Sequence, residues 1–484
     1  MMKRILMAVA AACAAGGAFA ETRNLAPGDD LVACLASLEG LSADNPVTVN
    51  LAACTYTAEN SGVADDAEWM FTVPSGVVLR GAGVGETVLD GGLSRRVLKL
   101  LSGAKACDLT VANAYSLGKT DIDRGYAVDV AGGVLAGCVV TNAQSAKAGE
   151  QVVYVNGGTV SGTRICGSKV LSNTAWAQGG VLYVTAGTVT NCQICANKFS
   201  DKEHSALTLN GPTATAVDCD IFGNTANWVS QRTAGSGGVS ILSGGGKLIL
   251  CRVTGNKNGG TNGFQYTGGL CVAGGNALID RCVITGNSSD YSDNFVDFAA
   301  GGVLIFGAAT MRNTLVASNR LTGVNYAPTR PKPVGGGVLV TTSASVSIEN
   351  CTIADNTLDG IGCEGAGVRL TTAAKVVNSI IWQNGGTPTG GEWMLGNVSN
   401  VTASVTHTCA MPLVEGEGNI DKDPKLKVKK GYLIRSTSPC VNAGDPTGWT
   451  DDDVDLAGNP RLRKDRIDMG CYQAILQGLM LMLK

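Results

Sequence analysis

Charged, aromatic and histidine residues are scarce in this sequence. Of its 484 residues only 16% are charged and 5% aromatic, and the two histidines are His204 and His407. Rounded cores need large side chains, so this composition argues against several globular domains despite the length of the chain. The net charge of −3 provides no strong basic field, and we expect no nucleic-acid partner.

Long apolar runs are also missing. None reaches the ~18 residues of a membrane helix, so we expect no transmembrane span in the mature chain. The start instead has a positive segment, the apolar run 5–15 and a small-residue cleavage site that ends at Ala20. We predict a signal peptide over 1–20 and an extracellular or outer-surface location. A periplasmic location and a lipoprotein signal acylated at Cys13 are the alternatives.

Glycine, in contrast, is abundant, and its 66 residues are twice the usual share of about 7%. Two short patterns alternate through the chain. Gly-Gly before apolar residues begins at Gly132, Gly157, Gly179, Gly237, Gly268, Gly301 and Gly336. Ile or Val, two residues and then Asn recurs at intervals of 24 to 37 residues. Short segments rich in Val, Ile and Thr between turn residues predict an all-β fold, a parallel β-helix with three strands in each turn.

Two sets of side chains recur in register with these repeats. Cysteine stands two residues before the Ile or Val at Cys192, Cys219, Cys251, Cys282 and Cys351. Residues two apart on a strand face the same way, so we predict an internal ladder of thiols. The asparagines tolerate a left-handed backbone and can form an amide ladder at Asn197, Asn224, Asn256, Asn287, Asn319, Asn356 and Asn384. We expect disulfides, if any, near the ends, as Cys34–Cys54 and Cys440–Cys471.

The chain divides into four predicted parts. After the signal peptide, residues 21–44 form an N-terminal cap, where the spacing of Leu31, Leu35 and Leu38 predicts an amphipathic helix over 29–41. Residues 45–420 form the coil. Residues 421–484 form a small C-terminal module.

The repeats resemble those of the polymorphic outer-membrane proteins, within the pectin lyase-like superfamily of right-handed parallel β-helices. Gly-Gly-Val-Leu, as at 301–304, stands for the Gly-Gly-Ala-Ile of those repeats, and Ile/Val-x-x-Asn for their Phe-x-x-Asn, with the Phe missing. The likeness covers residues 45–420. It implies the fold but not the function, because this fold includes lyases, hydrolases and adhesins.

The C-terminal residues resemble the choice-of-anchor Q module of bacterial surface proteins. The matching segments are Asp423-Pro424, Gly431-Tyr432, Ser438-Pro439-Cys440, Asn442-Ala443-Gly444-Asp445, the run from Asp455 to Arg461, and Asp468-Met469-Gly470-Cys471-Tyr472. Cys471 and Gln473 depart from the Asp-Ile-Gly-Ala-Tyr-Glu that is common in that family, so no role of its Glu transfers to this chain.

Catalytic residues are harder to find. A glycosidase of the polygalacturonase type needs a histidine between glycines, and neither histidine has such neighbours. A polysaccharide lyase needs carboxylates that hold calcium and an Arg that abstracts a proton. Its candidates here are Asp290, Asp293, Asp297, Arg312 and Arg320. Asp451, Asp453 and Asp455 alternate like the start of a calcium loop, but Leu456 replaces its glycine, and hydrogen bonds that pin the module are the favoured interpretation.

Four long inserts follow the same Asn corner and must project from one side of the coil: 225–236, 257–267, 288–300 and 320–335. They carry aromatic residues suited either to ligand contact or to packing of the inserts themselves: Trp228, Phe264, Tyr266, Tyr291, Phe295 and Tyr326. We interpret the protein as a non-catalytic secreted or cell-surface protein that binds glycans or surface proteins in adhesion. The alternatives are a calcium-dependent polysaccharide lyase and an architectural surface-layer protein.

Overall fold

A computed structural model describes most of the chain after residue 20. It covers residues 21–116, 124–145, 151–171, 179–200, 205–228, 234–260, 265–291, 298–325, 334–342, 344–361, 365–370, 374–385, 398–399 and 404–475. Within these residues the chain coils so that equivalent short strands of successive turns pair in parallel and in register. The prediction of an all-β parallel solenoid is confirmed.

The first two strands of each turn belong to one 24-stranded sheet. Its first stack holds Phe71–Val73, Leu98–Leu100, Val128–Ala131, Leu207–Leu209, Val239–Ile241, Leu270–Val272, Val303–Ile305, Val338–Val340, Val368–Leu370 and Val398–Ser399. Its second stack holds Thr22–Asn24, Val47–Asn50, Val77–Arg80, Lys105–Cys107, Val134–Ala136, Thr215–Val217, Lys247–Ile249, Ala277–Asp280, Ala309–Arg312, Val346–Glu349, Lys375–Val377 and Ser404–Thr406. Gln151–Ser161 and Gly180–Thr190 run through both stacks and join them.

Three further stacks complete the turn. The third has thirteen strands: Thr55–Tyr56, Val88–Asp90, Thr110–Ala112, Val139–Thr141, Arg164–Cys166, Gln193–Cys195, Asp220–Phe222, Arg252–Thr254, Val283–Thr285, Leu315–Ala317, Thr352–Ala354, Ile380–Trp382 and Cys409–Ala410. The fourth has eight: Gln144–Ser145, Lys169–Leu171, Lys198–Ser200, Thr225–Trp228, Lys257–Gly260, Ser288–Tyr291, Arg320–Asn325 and Thr357–Ile361. The fifth has four: Ala234–Ser236, Gln265–Thr267, Phe298–Ala300 and Val334–Gly335.

The number of strands per turn differs from the three predicted. Each of the four long inserts contributes one strand to the fourth stack and one to the fifth, so the turns that contain them have five strands. The two stacks contact each other near the coil, where the Ser289 hydroxyl donates to the carbonyl of Ala300 at 2.9 Å. Stacking supplies backbone partners to insert segments that would otherwise be loops.

Two corners of each turn need a left-handed backbone. One separates the second and third stacks and falls on residues such as Asp218, Asn313 and Asn350, and the other separates the third and fourth stacks. Asn, Asp and Gly adopt this conformation most readily. The repeated Asn is not itself left-handed, contrary to expectation, because the residue before it makes the bend, as Gly223 does with φ 62° before Asn224.

The second glycine of each repeated Gly-Gly pair lies where neighbouring turns approach too closely for a side chain. A Cβ on Gly238 would lie 2.5 Å from the carbonyl oxygen of Gly269 and 2.6 Å from a methyl of Val253. A Cβ on Gly269 would lie 2.4 Å from the carbonyl oxygen of Gly302. The requirement repeats from turn to turn, which explains why the pair recurs in the sequence.

The repeated asparagines form a continuous buried ladder from Asn197 to Asn384. Each side-chain NH₂ donates to the amide oxygen of the next asparagine, at 2.9–3.1 Å. The same NH₂ also donates to a backbone carbonyl of the preceding turn, such as Val253 from Asn287 at 2.9 Å. The amide oxygen accepts a backbone N–H as well, as Asn287 does from Asn256 at 3.0 Å. The ladder therefore satisfies corner backbone groups that water does not reach.

The five repeated cysteines also point into the coil and are buried. Their thiols donate to carbonyls two residues earlier, as Cys219 does to Val217 at 3.3 Å. Serine and threonine occupy the same position in other turns. Thr314 is one example, and its hydroxyl accepts the backbone N–H of Cys282 at 3.2 Å. The thiols act as small hydrophobic groups with one weak donor each.

All fifteen cysteines among the described residues are free thiols, so neither expected disulfide is present. Cys440 packs with Ile380 and contacts Cys409, whereas Cys471 packs with Leu315 and Ala354. The two thiols of this expected pair thus lie against different parts of the third stack. Cys34 and Cys54, the other expected pair, both lie at the edge of the core.

The N-terminal helix is shorter than the predicted 29–41 and spans Leu31–Ala36. Asp30 caps it by accepting the backbone N–H of Ala33 at 2.8 Å, and Leu31 and Leu35 bury their side chains against the first turns. Gly40, with φ 65°, lies just beyond the closing Ser37. None of the described helices is both long and apolar enough to cross a membrane.

The C-terminal residues return to the outer face of the third stack. A 3₁₀ helix, Val428–Lys430, and the antiparallel strands Leu426–Lys427 and Leu433–Ile434 are their regular elements. Three successive corner asparagines bind this segment. Asn313 accepts the Arg461 Nε–H at 2.8 Å, Asn350 donates to the carbonyl of Asp468 at 2.9 Å, and Asn378 donates to the carbonyl of Asp445 at 2.7 Å.

The asparagine ladder predicts a specific loss of stability. Asn287→Ala removes the acceptor of the buried Asn256 backbone N–H and one of the donors to the Asn319 amide oxygen, so we expect the free energy of unfolding to fall by about 3 kcal/mol. Asn50→Ala, which removes an exposed amide bond of 2.8 Å to Asn24, serves as the control and should lower it by less than about 1 kcal/mol. Denaturant titration followed by circular dichroism measures both. Equal losses in the two variants would contradict the role of the ladder.

Candidate functional site

The middle residues of the first-stack strands form a row on the outside of the coil. Their neighbours on either side, such as Leu98 and Leu100, lie in the core, so the middle side chains point outward. We call them the outer row. In register from turn to turn they are Thr72, Lys99, Asp129, Tyr154, Tyr183, Thr208, Ser240, Cys271, Leu304, Leu339 and Arg369.

The two halves of the outer row differ in whether the fifth stack covers them. Cys271, Leu304 and Leu339 are fully buried and pack with Ala300 of the fifth stack. The fifth stack begins only at Ala234, after the strands that carry Lys99 and Asp129. Side-chain exposure there is 31% for Lys99 and 14% for Asp129. Thr72, Lys99 and Asp129, at the N-terminal end, are therefore the more exposed members of the row.

A tryptophan holds two cations at the start of this region. The guanidinium carbon of Arg96 lies 3.9 Å from the ring centroid of Trp69, and the Lys99 ammonium lies 5.8 Å from it. These are cation–π distances. Arg96 also forms an ion pair of 2.7 Å with the exposed Glu68 and donates to the backbone carbonyl of Arg124 at 2.9 Å. These contacts hold both cations beside the ring.

Asp129 is a half-buried carboxylate beside these cations. Its Oδ2 lies 3.8 Å from the Lys99 ammonium. Burial raises the pKa of Asp129 and outweighs the opposing effect of the positive charges of Lys99, Arg96 and Arg124. Ionised Asp129 therefore reduces stability, and charges kept at such a cost are typical of functional sites.

Two tyrosines follow Asp129 along the outer row. The rings of Tyr154 and Tyr183 are 6.1 Å apart and inclined by 24°, and the Tyr183 hydroxyl accepts the side-chain N–H of Asn210 at 2.7 Å. Both rings are buried, so they support the site and do not form a free stacking surface. The exposed Arg124 lies with its guanidinium carbon 5.4 Å from the Tyr154 centroid.

We name this group the N-terminal cluster: Glu68, Trp69, Arg96, Lys99, Arg124, Asp129, Tyr154 and Tyr183. It combines three cations, two carboxylates and three aromatic rings, and it contains no serine, cysteine or histidine nucleophile. Positioned guanidinium groups bind carboxylates and sulfates, while carboxylates accept hydrogen bonds from hydroxyls. The arrangement is suited to recognition of an anionic, hydroxyl-rich ligand.

The sequence contained a signal for this cluster that the repeat patterns obscured. Lys99, Asp129, Tyr154 and Tyr183 each stand between two apolar β-formers, as in Val153-Tyr154-Val155. This alternation places each middle residue on the opposite face from its neighbours. The residues differ from turn to turn, so they form no repeated motif, and only the strand register brings them together.

The predicted lyase residues do not assemble as one group among the described residues. Asp290 and Arg320 lie on neighbouring strands of the fourth stack. Asp290 forms an ion pair of 2.6 Å with Lys257, while Arg320 pairs with Asp359 at 3.1 Å. Asp293 and Asp297 lie outside the described residues.

Arg312 points elsewhere, which corrects the expected grouping. It ends a second-stack strand, before the corner to the third stack, and its Nε lies 3.2 Å from the Asp280 carboxylate. Its Nη1 lies 3.6 Å from Asp453, and its guanidinium carbon 5.9 Å from the Trp449 centroid. Arg312 therefore contacts the C-terminal segment, more than a hundred residues further along the chain.

The three alternating aspartates do not converge on one point. The buried Asp455 accepts the backbone N–H groups of Ala457, Asn459 and Gln473 at 2.7–2.9 Å. Asp453 accepts the backbone N–H of Thr450 at 2.9 Å, and Asp451 is exposed. Among the described residues no group of three or more possible metal ligands occurs. In this structure Asp455 accepts N–H groups that hold the C-terminal fold together.

For three of the predicted aromatic residues, Trp228, Tyr266 and Tyr291, the structure describes the backbone but not the side chain. Trp228 and Tyr291 lie in the fourth stack on either side of Gly260, and Tyr266 lies in the fifth. Phe264, Phe295 and Tyr326 fall outside the described residues, as does His204. The other histidine, His407, forms a left-handed corner with φ 47°.

Comparison with known families agrees with the coiled architecture. Residues 218–406 match the family model described as the right handed beta helix region. The chain is a right-handed β-helix. None of the curated proteins that were compared matches it.

Several solved structures are similar to this chain at low identity. The catalytic domain of a GH87 α-1,3-glucanase, solved with tetrasaccharides, is 11% identical over 84% of this chain and 70% of its own, with a TM-score of 0.40. Pectate lyase Pel9A is 11% identical over 94% of this chain and 96% of its own, with a TM-score of 0.34. The A-module of the Azotobacter vinelandii mannuronan C-5 epimerase AlgE4 is 14% identical over 80% of this chain and 98% of its own, with a TM-score of 0.31.

The raised pKa of Asp129 predicts a pH-dependent gain in stability. The pKa of Asp129 is higher in the folded state than in the unfolded state. Ionisation of Asp129 therefore destabilises the fold as the pH rises through the interval between these two pKa values. Asp129→Asn removes that loss. We expect its Tm to exceed that of the wild type at neutral pH and to equal it near about pH 3, where both states are protonated.

Asp290→Asn is the control of opposite sign. Burial alone would raise the pKa of Asp290, but Lys257 and Thr322 outweigh burial and lower it. Its ionised form stabilises the fold at neutral pH, and this contribution is lost as the pH falls through the folded-state pKa. We therefore expect a lower Tm at neutral pH for this variant. A lower Tm for Asp129→Asn as well would contradict our account of the cluster.

Proposed function

We propose that this protein is an exported, non-catalytic β-helix protein that binds acidic glycans along the exposed N-terminal end of the outer row. The observation that carries the proposal is the N-terminal cluster, in which Arg124 and Lys99 remain accessible beside a carboxylate whose charge reduces stability. A site that retains such a charge is better explained by ligand recognition than by packing.

The geometry of the coil favours a linear ligand. Successive members of the outer row are separated by one strand spacing, roughly 4.8 Å, and follow the axis of the coil. A polysaccharide chain repeats on a similar scale, so adjacent sugars can meet adjacent turns. Arg124 and Lys99 would bind uronate or sulfate groups, while Glu68 and Asp129 would accept hydrogen bonds from hydroxyls.

The inserts provide a second part of the proposed contact surface. The fourth and fifth stacks hold their ends in place, and the Trp228 and Tyr291 backbones flank Gly260 there. We propose that aromatic residues of the inserts extend binding to glycans or to surface proteins, in keeping with an adhesive role. Location at the cell surface rests on the signal-like start and on the likeness of the C-terminal segment to a choice-of-anchor Q module.

Binding assays with defined oligosaccharides test this function. Isothermal titration with oligogalacturonates and alginate fragments should show binding that weakens with salt, while neutral cello-oligosaccharides should not bind. Arg124→Gln should weaken binding about tenfold, the loss of one charge-assisted hydrogen bond of about 1.5 kcal/mol. Arg252→Gln is the matched control, since this Arg pairs with Asp220 on the third stack and should leave binding unchanged.

The same oligosaccharides distinguish the rival functions. A calcium-dependent rise in ultraviolet absorbance, from unsaturated products, would replace our proposal with a polysaccharide lyase. Ordered self-assembly of the pure protein without any glycan binding would instead indicate an architectural layer. Equal loss of binding in the Arg124 and Arg252 variants would show that net charge, and not the N-terminal cluster, is recognised.

A further inference from the structure

Two cysteines lie side by side on the outside of the coil, opposite in direction to the buried cysteine ladder. Cys166 and Cys195 end neighbouring third-stack strands and are register partners. The residues before them, Ile165 and Ile194, point into the core, so both thiols face outward. Thr141 precedes them in this outward row, and Phe222 follows.

Their spacing permits a covalent bond. In-register residues on adjacent parallel strands are about 4.8 Å apart, and disulfide-linked residues have Cα atoms roughly 4.4–6.8 Å apart. The Cys195 thiol is close enough to hydrogen bond to Cys166. In the structure both are free thiols, which makes this pair a reduced dithiol.

The surroundings activate one member of the pair. Hydrogen bonds from Cys195, from Thr141 and from the exposed Arg164 lower the pKa of Cys166 to about 6, against the opposing effect of burial. The pKa of Cys195 is raised because its proton is shared with Cys166 and because it is buried. Near neutral pH the pair therefore consists of a nucleophilic thiolate at Cys166 and a thiol at Cys195.

The buried ladder has the same adjacency, but its thiols are closed off from solvent. Burial raises the pKa of Cys282 and Cys351 to levels where no thiolate forms at neutral pH, and neither residue is accessible to solvent. Cys166 is partly exposed, whereas Cys195 is almost fully covered. An oxidant can thus reach Cys166, and Cys195 needs to reach only its neighbour.

We propose that Cys166 and Cys195 form a redox-active dithiol, which low-molecular-weight disulfides convert to a disulfide between two turns of the coil. The Cys166 thiolate attacks one sulfur of the oxidant, whose S–S bond breaks and releases one thiolate. Cys195 then loses its proton and attacks the Cys166 sulfur of the mixed disulfide, releasing the second thiolate. Two protein thiols are oxidised by two electrons, and one small disulfide is reduced to two thiols.

The test uses the full chain in oxidised and reduced glutathione at varied ratios. Free thiols are then blocked with iodoacetamide, and the protein is digested with trypsin. We expect a disulfide that links peptide 165–169, which carries Cys166, to peptide 170–198, which carries Cys192 and Cys195. Excess reduced glutathione should abolish the link.

Two serine variants identify the partner of Cys166. Cys195→Ser should abolish the linked peptides and leave glutathione attached to Cys166, whereas Cys192→Ser should retain the link, because Cys192 faces the core. Alkylation of Cys166 should be half-maximal near pH 6, and Cys282 should remain unlabelled in the folded protein. The proposal is overturned if oxidising glutathione leaves both thiols alkylated, or if the link survives in Cys195→Ser.

Discussion

The buried asparagine ladder is the constraint on which the rest of the coil depends. A left-handed bend between the third and fourth stacks leaves backbone N–H and C=O groups inside, away from water. Each asparagine side chain satisfies groups of the turn before it and of the turn after it, from Asn197 to Asn384. A shift of one turn by a single residue would leave these groups unpaired, so the ladder fixes the register of every strand that follows.

Fixed register inside the coil also orders its outside. The outer row and the Cys166–Cys195 pair both arise because equivalent positions lie next to each other in successive turns. The chain can therefore vary an exposed residue in one turn without disturbing the fold, while a constant pattern of Gly-Gly, Cys and Asn maintains the core. The proposed glycan recognition uses such a row of neighbouring residues.

The structural features that repeat from turn to turn could be predicted from the sequence, whereas the side-chain groupings that occur only once could not. The parallel coil follows from the Gly-Gly and Ile/Val-x-x-Asn spacing, because each turn meets the same steric and hydrogen-bonding demand. The N-terminal cluster was missed because Trp69, Arg96 and Asp129 belong to no repeat and meet only through register. Arg312 was grouped with the wrong carboxylates, since its partner Asp453 reaches it only when the chain folds back. The five-stranded turns were missed because insert length does not reveal whether neighbouring inserts pair.

The return of the C-terminal segment has a consequence for the order of events during synthesis. Arg461, fully buried, joins the Asn313 corner to the carbonyl of Gly470 and so spans almost 150 positions of sequence. This segment covers Leu315 and Ile380 on the outside of the third stack. Both side chains belong to hydrophobic patches that stay exposed until the segment has been synthesised. Assembly that proceeds from the amino end would thus leave these patches open to contact with other chains until residues 426–474 cover the third stack.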